Sequence, residues 1–355
     1  MLPRSVPRIA VVAASSPSGE TGGAERLFLG LCEALAELGF GSTLVSRPVE
    51  GGAFNNVLRS YLTFYDLNLD EFDGVISTKS PTYAVRHRNH VCYLVHTMRI
   101  FYDMFDWERL RPSEDQLLQR RFVQRLDSRL LSPKRLKALF SIGAEVSERL
   151  RFYNGCHAPY LRCPTTLAGL QGGSFDYIFM PGRLHRWKRV HLAIDALRSL
   201  DLPLRLVIAG EGEDADLLHR RANGDARIDF VGRVSEERLV ELYANSLAVA
   251  FVPQSEDLGL VTLEAFLAGK PVITCLDSGE PARIVQHGVS GFIAAPNAQS
   301  IAGYMRRLAR DTSLASSMGA AGRDAIAGVT WQGVAMRLAA ALGFASHMDG
   351  RRELA

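Results

Sequence analysis

Glu256 and Glu264 stand eight positions apart in Pro253-Gln-Ser-Glu-Asp-Leu-Gly-Leu-Val-Thr-Leu-Glu-Ala-Phe-Leu-Ala-Gly-Lys-Pro-Val272, and Glu264 falls inside an apolar helical pattern. An ionised carboxylate among Leu263, Ala265 and Phe266 requires donors of its own. The paired hydroxyls of a ribose would supply them; an ion pair within the chain is the plainer alternative, with few cations nearby in sequence. Just before, a helix start at Leu258, Gly259 and Leu260 offers amide groups that suit phosphate oxygens. A second segment, Pro181-Gly-Arg-Leu-His-Arg-Trp-Lys-Arg189, gathers Arg183, Arg186, Lys188 and Arg189 where a strand gives way to a helix. Folding does not call for four cations at an electropositive helix start, and a diphosphate would neutralise them. A solvated basic turn is the alternative.

Two further segments carry weaker signals. Ser15-Ser-Pro-Ser-Gly-Glu-Thr-Gly-Gly-Ala-Glu-Arg26 places Gly22 and Gly23 at a helix start, where backbone amides approach an anion without side-chain obstruction, or where a βα turn is simply flexible. Tyr93-Leu-Val-His-Thr-Met-Arg99 puts His96 at a strand end. Leu206-Val-Ile-Ala-Gly-Glu-Gly-Glu-Asp-Ala215 matches a relaxed dinucleotide pattern, with Asp229 near the offset of a ribose contact. However, Glu211, Glu213 and Asp214 would set carboxylates beside a pyrophosphate, so the acids are expected to cap the helix start instead. Asp214-Ala-Asp216 has the spacing of a metal-binding pair, and a structural role is expected for it too.

Loops at strand ends position all of these residues, so the strands must be parallel and their carboxyl ends must share one side of a sheet. Apolar β-branched runs at Ile9–Ala14, Ser42–Ser46, Gly74–Ser77, Val91–Val95 and Ala138–Ile142 alternate with helical patterns at Ala24–Leu38 and Ala144–Phe152. Arg99 to Lys137 reads as a mobile loop followed by one or two helices. After Asp176 the alternation resumes from Tyr177 to Ala295, followed by helical patterns at Ile301–Ala309, Leu314–Ala327 and Trp331–Leu342. The expected architecture is α/β, with two Rossmann-like domains of doubly wound parallel sheets facing across a cleft. Their spans are 1–161 and 177–355, joined by a Gly-, Pro- and Ser-rich linker at 162–176. The final helix, 331–342, has no following strand and can pack on either domain.

Together these residues resemble the GT-B glycosyltransferases of family 4, over roughly Arg8 to Phe344. Glu256-x7-Glu264 is the most specific element, reinforced by Gly269-Lys-Pro-Val272 and by Gly182-Arg183 with Lys188. The resemblance implies a retaining transferase that uses a UDP- or GDP-sugar and needs neither cofactor nor metal. By it, Arg183 and Lys188 bind the donor diphosphate, Glu264 the ribose and Glu256 the transferred sugar. His96 faces the donor sugar, and Gly22, Gly23, Leu258, Gly259 and Leu260 complete the donor site. Leu258 stands where the family often has Phe, and Arg283 stands where an acid is common in Ser278-Gly-Glu-Pro-Ala-Arg-Ile-Val285.

At 355 residues the chain is long enough for two cores, and mean hydropathy is +0.01. No apolar run approaches the ~20 residues of a membrane span. The five cysteines lack metal-site spacing, and a net charge of +3 does not argue for nucleic acid. A cytoplasmic enzyme is expected, acting on a glycan, lipid-linked or small-molecule acceptor. Between Gln116 and Lys137 the basic residues Arg120, Arg121, Arg125, Arg129, Lys134, Arg135 and Lys137 oppose only Asp127. Phe122, Leu126, Leu130 and Leu131 interleave with them near helical spacing, which suggests peripheral contact at the inner face of a membrane. Rival readings are a nucleotide-sugar epimerase of the same fold, a nicotinamide dehydrogenase and a non-catalytic nucleotide-sugar binding module.

Overall fold

Short runs of Val, Ile, Leu and Ala buried on both faces need no alternation of polar residues, and in both halves of the chain they form wholly parallel sheets. The computed structural model describes residues 6–15, 23–50 and 53–345. The chain divides into two units, Met1–Thr166 with Val329–Ala355, and Leu167–Gly328.

The first unit runs β1 (Arg8–Ser15), α1 (Gly23–Glu37), β2 (Gly41–Pro48), α2 (Phe54–Tyr65), β3 (Gly74–Ser77), β4 (His90–Leu94), α3 (Phe105–Glu108), α4 (Glu114–Leu130), β5 (Ala138–Ser141) and α5 (Ala144–Asn154). Its sheet has the order β2-β1-β3-β4-β5. Ile9 to Ala14 of β1 are buried between parallel neighbours on both sides. Helix α2 is not evident from the sequence pattern. Its buried Val57, Ser60, Tyr61 and Phe64 follow helical spacing, but a serine in the stripe and four aromatic residues of modest helix propensity obscure the period.

The segment after β4 holds two helices. Ser113 and Gln116 close a reciprocal capping box at the start of α4, while Val123, Asp127 and Leu130 turn inward. Asp127, the single acid of the basic stretch, is fully buried. It accepts hydrogen bonds from the Tyr61 hydroxyl of α2 and the Tyr102 hydroxyl, each at 2.6 Å. Asn154 ties Tyr102 to the α4 backbone at Gln124 and to Ser128. Burial pushes the Asp127 carboxyl up to about 6 against the pull of its tyrosine donors.

The second unit runs β6 (Tyr177–Pro181), α6 (Val190–Arg198), β7 (Arg205–Ala209), α7 (Ala215–Ala222), β8 (Ile228–Gly232), α8 (Glu236–Ala244), β9 (Ser246–Ala250), α9 (Leu260–Leu267), β10 (Val272–Cys275), α10 (Glu280–Ile284), β11 (Gly291–Ala294), α11 (Ala298–Arg310) and α12 (Thr312–Ile326). The sheet order β11-β10-β9-β6-β7-β8 is the doubly wound arrangement, and the strand order reverses between β6 and β9.

The terminal helix α13 (Trp331–Ala341), which the sequence leaves free to pack on either domain, belongs to the first unit. It packs on α1 and β4, burying Val334, Ala335, Leu338 and Ala339. Gly30 of α1 makes room for it, since a Cβ there would lie 2.9 Å from the Trp331 ring. Phe344 continues the contact onto Phe40, with ring centroids 5.7 Å apart. All five cysteines are free, and among the described residues no helix is long and apolar enough to cross a membrane.

Asp127 supplies a pH test of the first unit. A carboxyl whose folded pKa of about 6 exceeds its ordinary 3.8 contributes stability fully below the lower value and loses it as pH rises through the higher one. The melting temperature of the native protein relative to Asp127→Asn is therefore expected to fall between about pH 4 and 7, by the equivalent of roughly 2–3 kcal/mol. A difference constant across that range would contradict the assignment.

Candidate active site

In an open α/β sheet the crevice at a strand-order reversal is where loops on either side diverge and leave room for a ligand. In the second unit the loops beyond β6 and β9 flank that point, and they carry Gly182 to Arg189 and Phe251 to Gly259. The loops beyond β7 and β10 buttress them.

The buttress beyond β7 accounts for the dinucleotide-like glycines. A Cβ on Gly210 would lie 2.0 Å from the Gly182 carbonyl oxygen, and one on Gly212 would lie 2.3 Å from that of Leu184. The two glycines let one loop lie directly on another, where Leu184 N–H donates to the Glu211 carbonyl and Asp214 N–H to that of Leu184. The neighbouring acids gather at the start of α7 as expected, although Asp214 caps it without a side-chain hydrogen bond. Glu213 lies 3.2 Å from both Arg183 and His185. Asp229 sits 3.6 Å from Arg205.

The four cations beyond β6 prove to be unlike one another. Arg189 is a structural residue, only 8% exposed, in the left-handed region at φ 52°. Its guanidinium donates to the Val252 and Pro253 carbonyls at 2.7 and 2.6 Å and to both oxygens of Asp277 at 2.7 Å. One side chain thereby joins the loops beyond β6, β9 and β10. Arg183 is largely exposed and pairs with Glu213. Lys188 reaches Glu256 Oε2 at 2.5 Å, with its ammonium 5.3 Å from the Phe251 ring centroid. The fold does use Arg189, contrary to expectation, and Arg183 and Lys188 each have a carboxylate partner in the chain.

Glu256 is fixed through its backbone as well. Its N–H donates to the Ser278 carbonyl, and its own carbonyl accepts from Glu280 N–H. Gly279, at φ 74°, permits this, because a Cβ there would fall 2.6 Å from the Glu256 backbone. Gly259, at φ 72°, turns the chain into α9 between Phe251 and Pro281. The amides of Gly259 and Leu260 open the helix, and Leu258 is buried, so it contributes backbone rather than side chain to this corner. Glu264 lies one turn along α9, half-buried. The donor its carboxylate required comes in part from the chain: the hydroxyl of Tyr243 on α8 donates to Oε2 at 2.6 Å. Tyr243 is itself fully buried edge-on to Phe179, and burial beside Glu264 holds its hydroxyl pKa well above the ordinary value.

Sequence reasoning missed Tyr243 and Glu280, the latter fully buried at the start of α10. The Gly-Glu-Pro turn after β10 was the available signal for Glu280; Arg283, which drew attention instead, lies exposed on α10. Lys270 of the Gly-Lys-Pro-Val stretch is fully buried, donating to the Ser174 carbonyl at 2.6 Å over the Phe175 ring. Burial draws its pKa down to about 8. In the first unit, His96 follows β4, half-buried, with Nδ1 3.1 Å from the Thr97 carbonyl oxygen. Gly23 begins α1, and Gly22 lies outside the described residues.

Residues 171–325 match the family model of glycosyl transferases group 1. Human alpha-1,3/1,6-mannosyltransferase ALG2 is 28% identical over 161 residues, 40% of this chain and 38% of that protein. The chain spans well under half the length of the curated relatives it matches. Sucrose-phosphate synthase from Thermosynechococcus elongatus superposes with a TM-score of 0.75 at 16% identity, over 94% of this chain and 98% of that one. HepE from Anabaena, in complex with UDP and glucose, superposes with a TM-score of 0.72 at 17% identity, over 95% and 99%. These neighbours place the two parallel-sheet units in the GT-B fold.

Arg189→Met removes the guanidinium and leaves two carbonyls and Asp277 without it. A loss of about 2–3 kcal/mol is expected in urea denaturation, below the full cost of breaking a buried pair because Asp277 is 41% exposed. An unchanged midpoint would show that the three loops are held by other means.

Proposed function

We propose that this chain, a GT-B protein whose second unit is a group 1 glycosyl transferase domain, moves a sugar from a nucleoside diphosphate donor to an acceptor hydroxyl with retention at the anomeric carbon. The observation that carries the reading is the convergence of Lys188, Glu256 and the α9 N-terminus beyond β6 and β9, at the strand-order reversal.

In this reading, the departing β-phosphate develops negative charge as the glycosidic C–O bond breaks. Lys188, Arg183 and the amides of Gly259 and Leu260 are groups already oriented to meet that charge, which lowers the barrier most when they need not reorganise. Lys188 can serve both partners, since Glu256 holds its ammonium in place while the phosphate approaches. Glu256 then accepts hydrogen bonds from hydroxyls of the transferred sugar, and Glu264, braced by Tyr243, accepts them from the ribose. By the same resemblance His96 is assigned to the transferred sugar. The acceptor attacks on the face from which the diphosphate leaves, and the leaving phosphate takes its proton. HepE binds UDP with glucose in one crystal structure and UDP-glucose in another, which supports a nucleoside diphosphate as the ligand class. Human ALG2 is a mannosyltransferase by name, which supports sugar transfer as the reaction class. Presentation of that acceptor at a lipid surface fits the basic stretch 116–137.

Glu264→Ala and Lys188→Ala are each expected to weaken donor binding at least tenfold, about 1.4 kcal/mol, in calorimetry with UDP- and GDP-sugars. Both variants should stay folded by circular dichroism, with a modestly lowered melting temperature for Glu264→Ala because the buried Tyr243 hydroxyl loses its acceptor. Unaltered affinity in both variants would refute the assignment.

Charge neutralisation by Arg183, Lys188 and helix amides in place of a metal predicts that chelation leaves turnover intact. Nucleotide release that requires acceptor and persists in EDTA is the expected result. Loss in EDTA with recovery on adding manganese would refute metal independence, and isomerisation of the donor without acceptor would point to an epimerase.

A further inference from the structure

We infer that the outward face of α4 is a docking surface for the anionic face of a lipid bilayer. The inference deepens the acceptor side of the proposed function, and its test measures binding without turnover, so either can fail while the other stands.

Folding sorts the basic stretch into two sets that sequence alone could not separate. Leu130 and Leu131, expected on the membrane side, are buried in the first unit, and Asp127 is buried with them. Arg120 turns back to lie over the Phe105 ring, 4.4 Å from its centroid, and 3.4 Å from Asp106, while Arg135 donates to the Val85 carbonyl. What remains outside is ordered. Leu118, Phe122 and Leu126 repeat every fourth residue, and beside them Arg121, Arg125 and Arg129 repeat every fourth residue. Each stripe is about 12 Å long at helical rise. Both line one groove of about 620 Å³, walled by Phe54, whose ring meets Phe122 edge-on with centroids 6.1 Å apart. Asp115 and Gln119 lie toward its amino-terminal end.

A helix on a soluble surface normally separates its apolar and charged residues onto opposite faces. Here half-exposed apolar side chains, Leu118 at 58% and Phe122 at 50%, share the solvent face with three guanidiniums that pair with no carboxylate among the described residues. Such a face needs a partner that offers anions and hydrocarbon side by side. A bilayer does so, with phosphates at the headgroup level and acyl chains directly beneath, and arginine stems long enough to span the two. An acidic protein surface would satisfy the arginines but not the parallel apolar stripe.

The test is co-sedimentation of the full chain with phosphatidylcholine vesicles and with mixed phosphatidylcholine–phosphatidylglycerol vesicles, at low and high salt. The expected result is binding to the mixed vesicles at low salt, at least tenfold stronger than to the neutral ones. The exposed triple Arg121→Gln/Arg125→Gln/Arg129→Gln should lose that preference. Leu118→Ser/Phe122→Ser should lower binding at both salt concentrations, with far-UV circular dichroism and melting temperature unchanged in each case. Arg306→Gln/Arg310→Gln on α11 removes charge elsewhere and should leave binding intact. The proposal is overturned if the native protein binds neither vesicle at low salt, if both α4 variants bind as it does, or if the α11 control is as damaging as the α4 triple. Self-association in gel filtration that Leu118→Ser/Phe122→Ser abolishes, without vesicle binding, would assign the face to a second copy of the chain instead.

Discussion

One guanidinium governs the geometry of the second unit's crevice. Arg189 sits where β6 gives way to α6, and from there it reaches two carbonyls beyond β9 and a carboxylate beyond β10. Parallel strands deliver their loops to the same side of a sheet but do not fix one loop against another. The planar fork of an arginine does, because its donors point in several directions within one rigid plane. Glu256 depends on this arrangement twice, since its backbone is paired with the loop that Asp277 introduces and its side chain meets the lysine that precedes Arg189. The chemistry of the corner rests on a residue that touches none of it.

That division of labour explains what the sequence made legible. Buried parallel strands announce themselves through continuous apolar runs, so the sheets of both units and the loops bearing Lys188, Glu256 and Glu264 could be placed from residue types alone. Local charge could not be sorted in the same way. Four cations in seven residues look like one anion site, yet Arg189 is committed to partners 63 to 88 positions away. Tyr243 was invisible for a similar reason: its hydroxyl meets Glu264 from a different helix, 21 positions earlier, and no local pattern marks a tyrosine that serves a distant carboxylate. At Gly210 and Gly212 a motif with a functional meaning elsewhere serves loop packing, in keeping with the neighbouring acids that argue against a pyrophosphate there.

Helix α4 shows how one buried acid determines the orientation of a surface. With Asp127 held by tyrosines from α2 and from the segment after β4, the helix cannot rotate about its axis without leaving a buried carboxylate unsatisfied. The direction in which Phe122 and Arg125 point is therefore set from inside the unit. A basic helix of the same composition without that anchor would be free to turn its leucines inward.

Because α13 returns to α1, the first unit is made from segments on either side of the second, which is an insertion within it. During synthesis residues 167–328 emerge complete and can collapse as a contiguous body, whereas the earlier half must wait for Trp331 and Phe344 before the surfaces around Gly30 and Phe40 are covered. A stretch made after the insertion closes the half that appeared before it. Vectorial folding in this molecule is thus nested rather than sequential, and a chain cut short after residue 328 would carry an intact insertion within an open host.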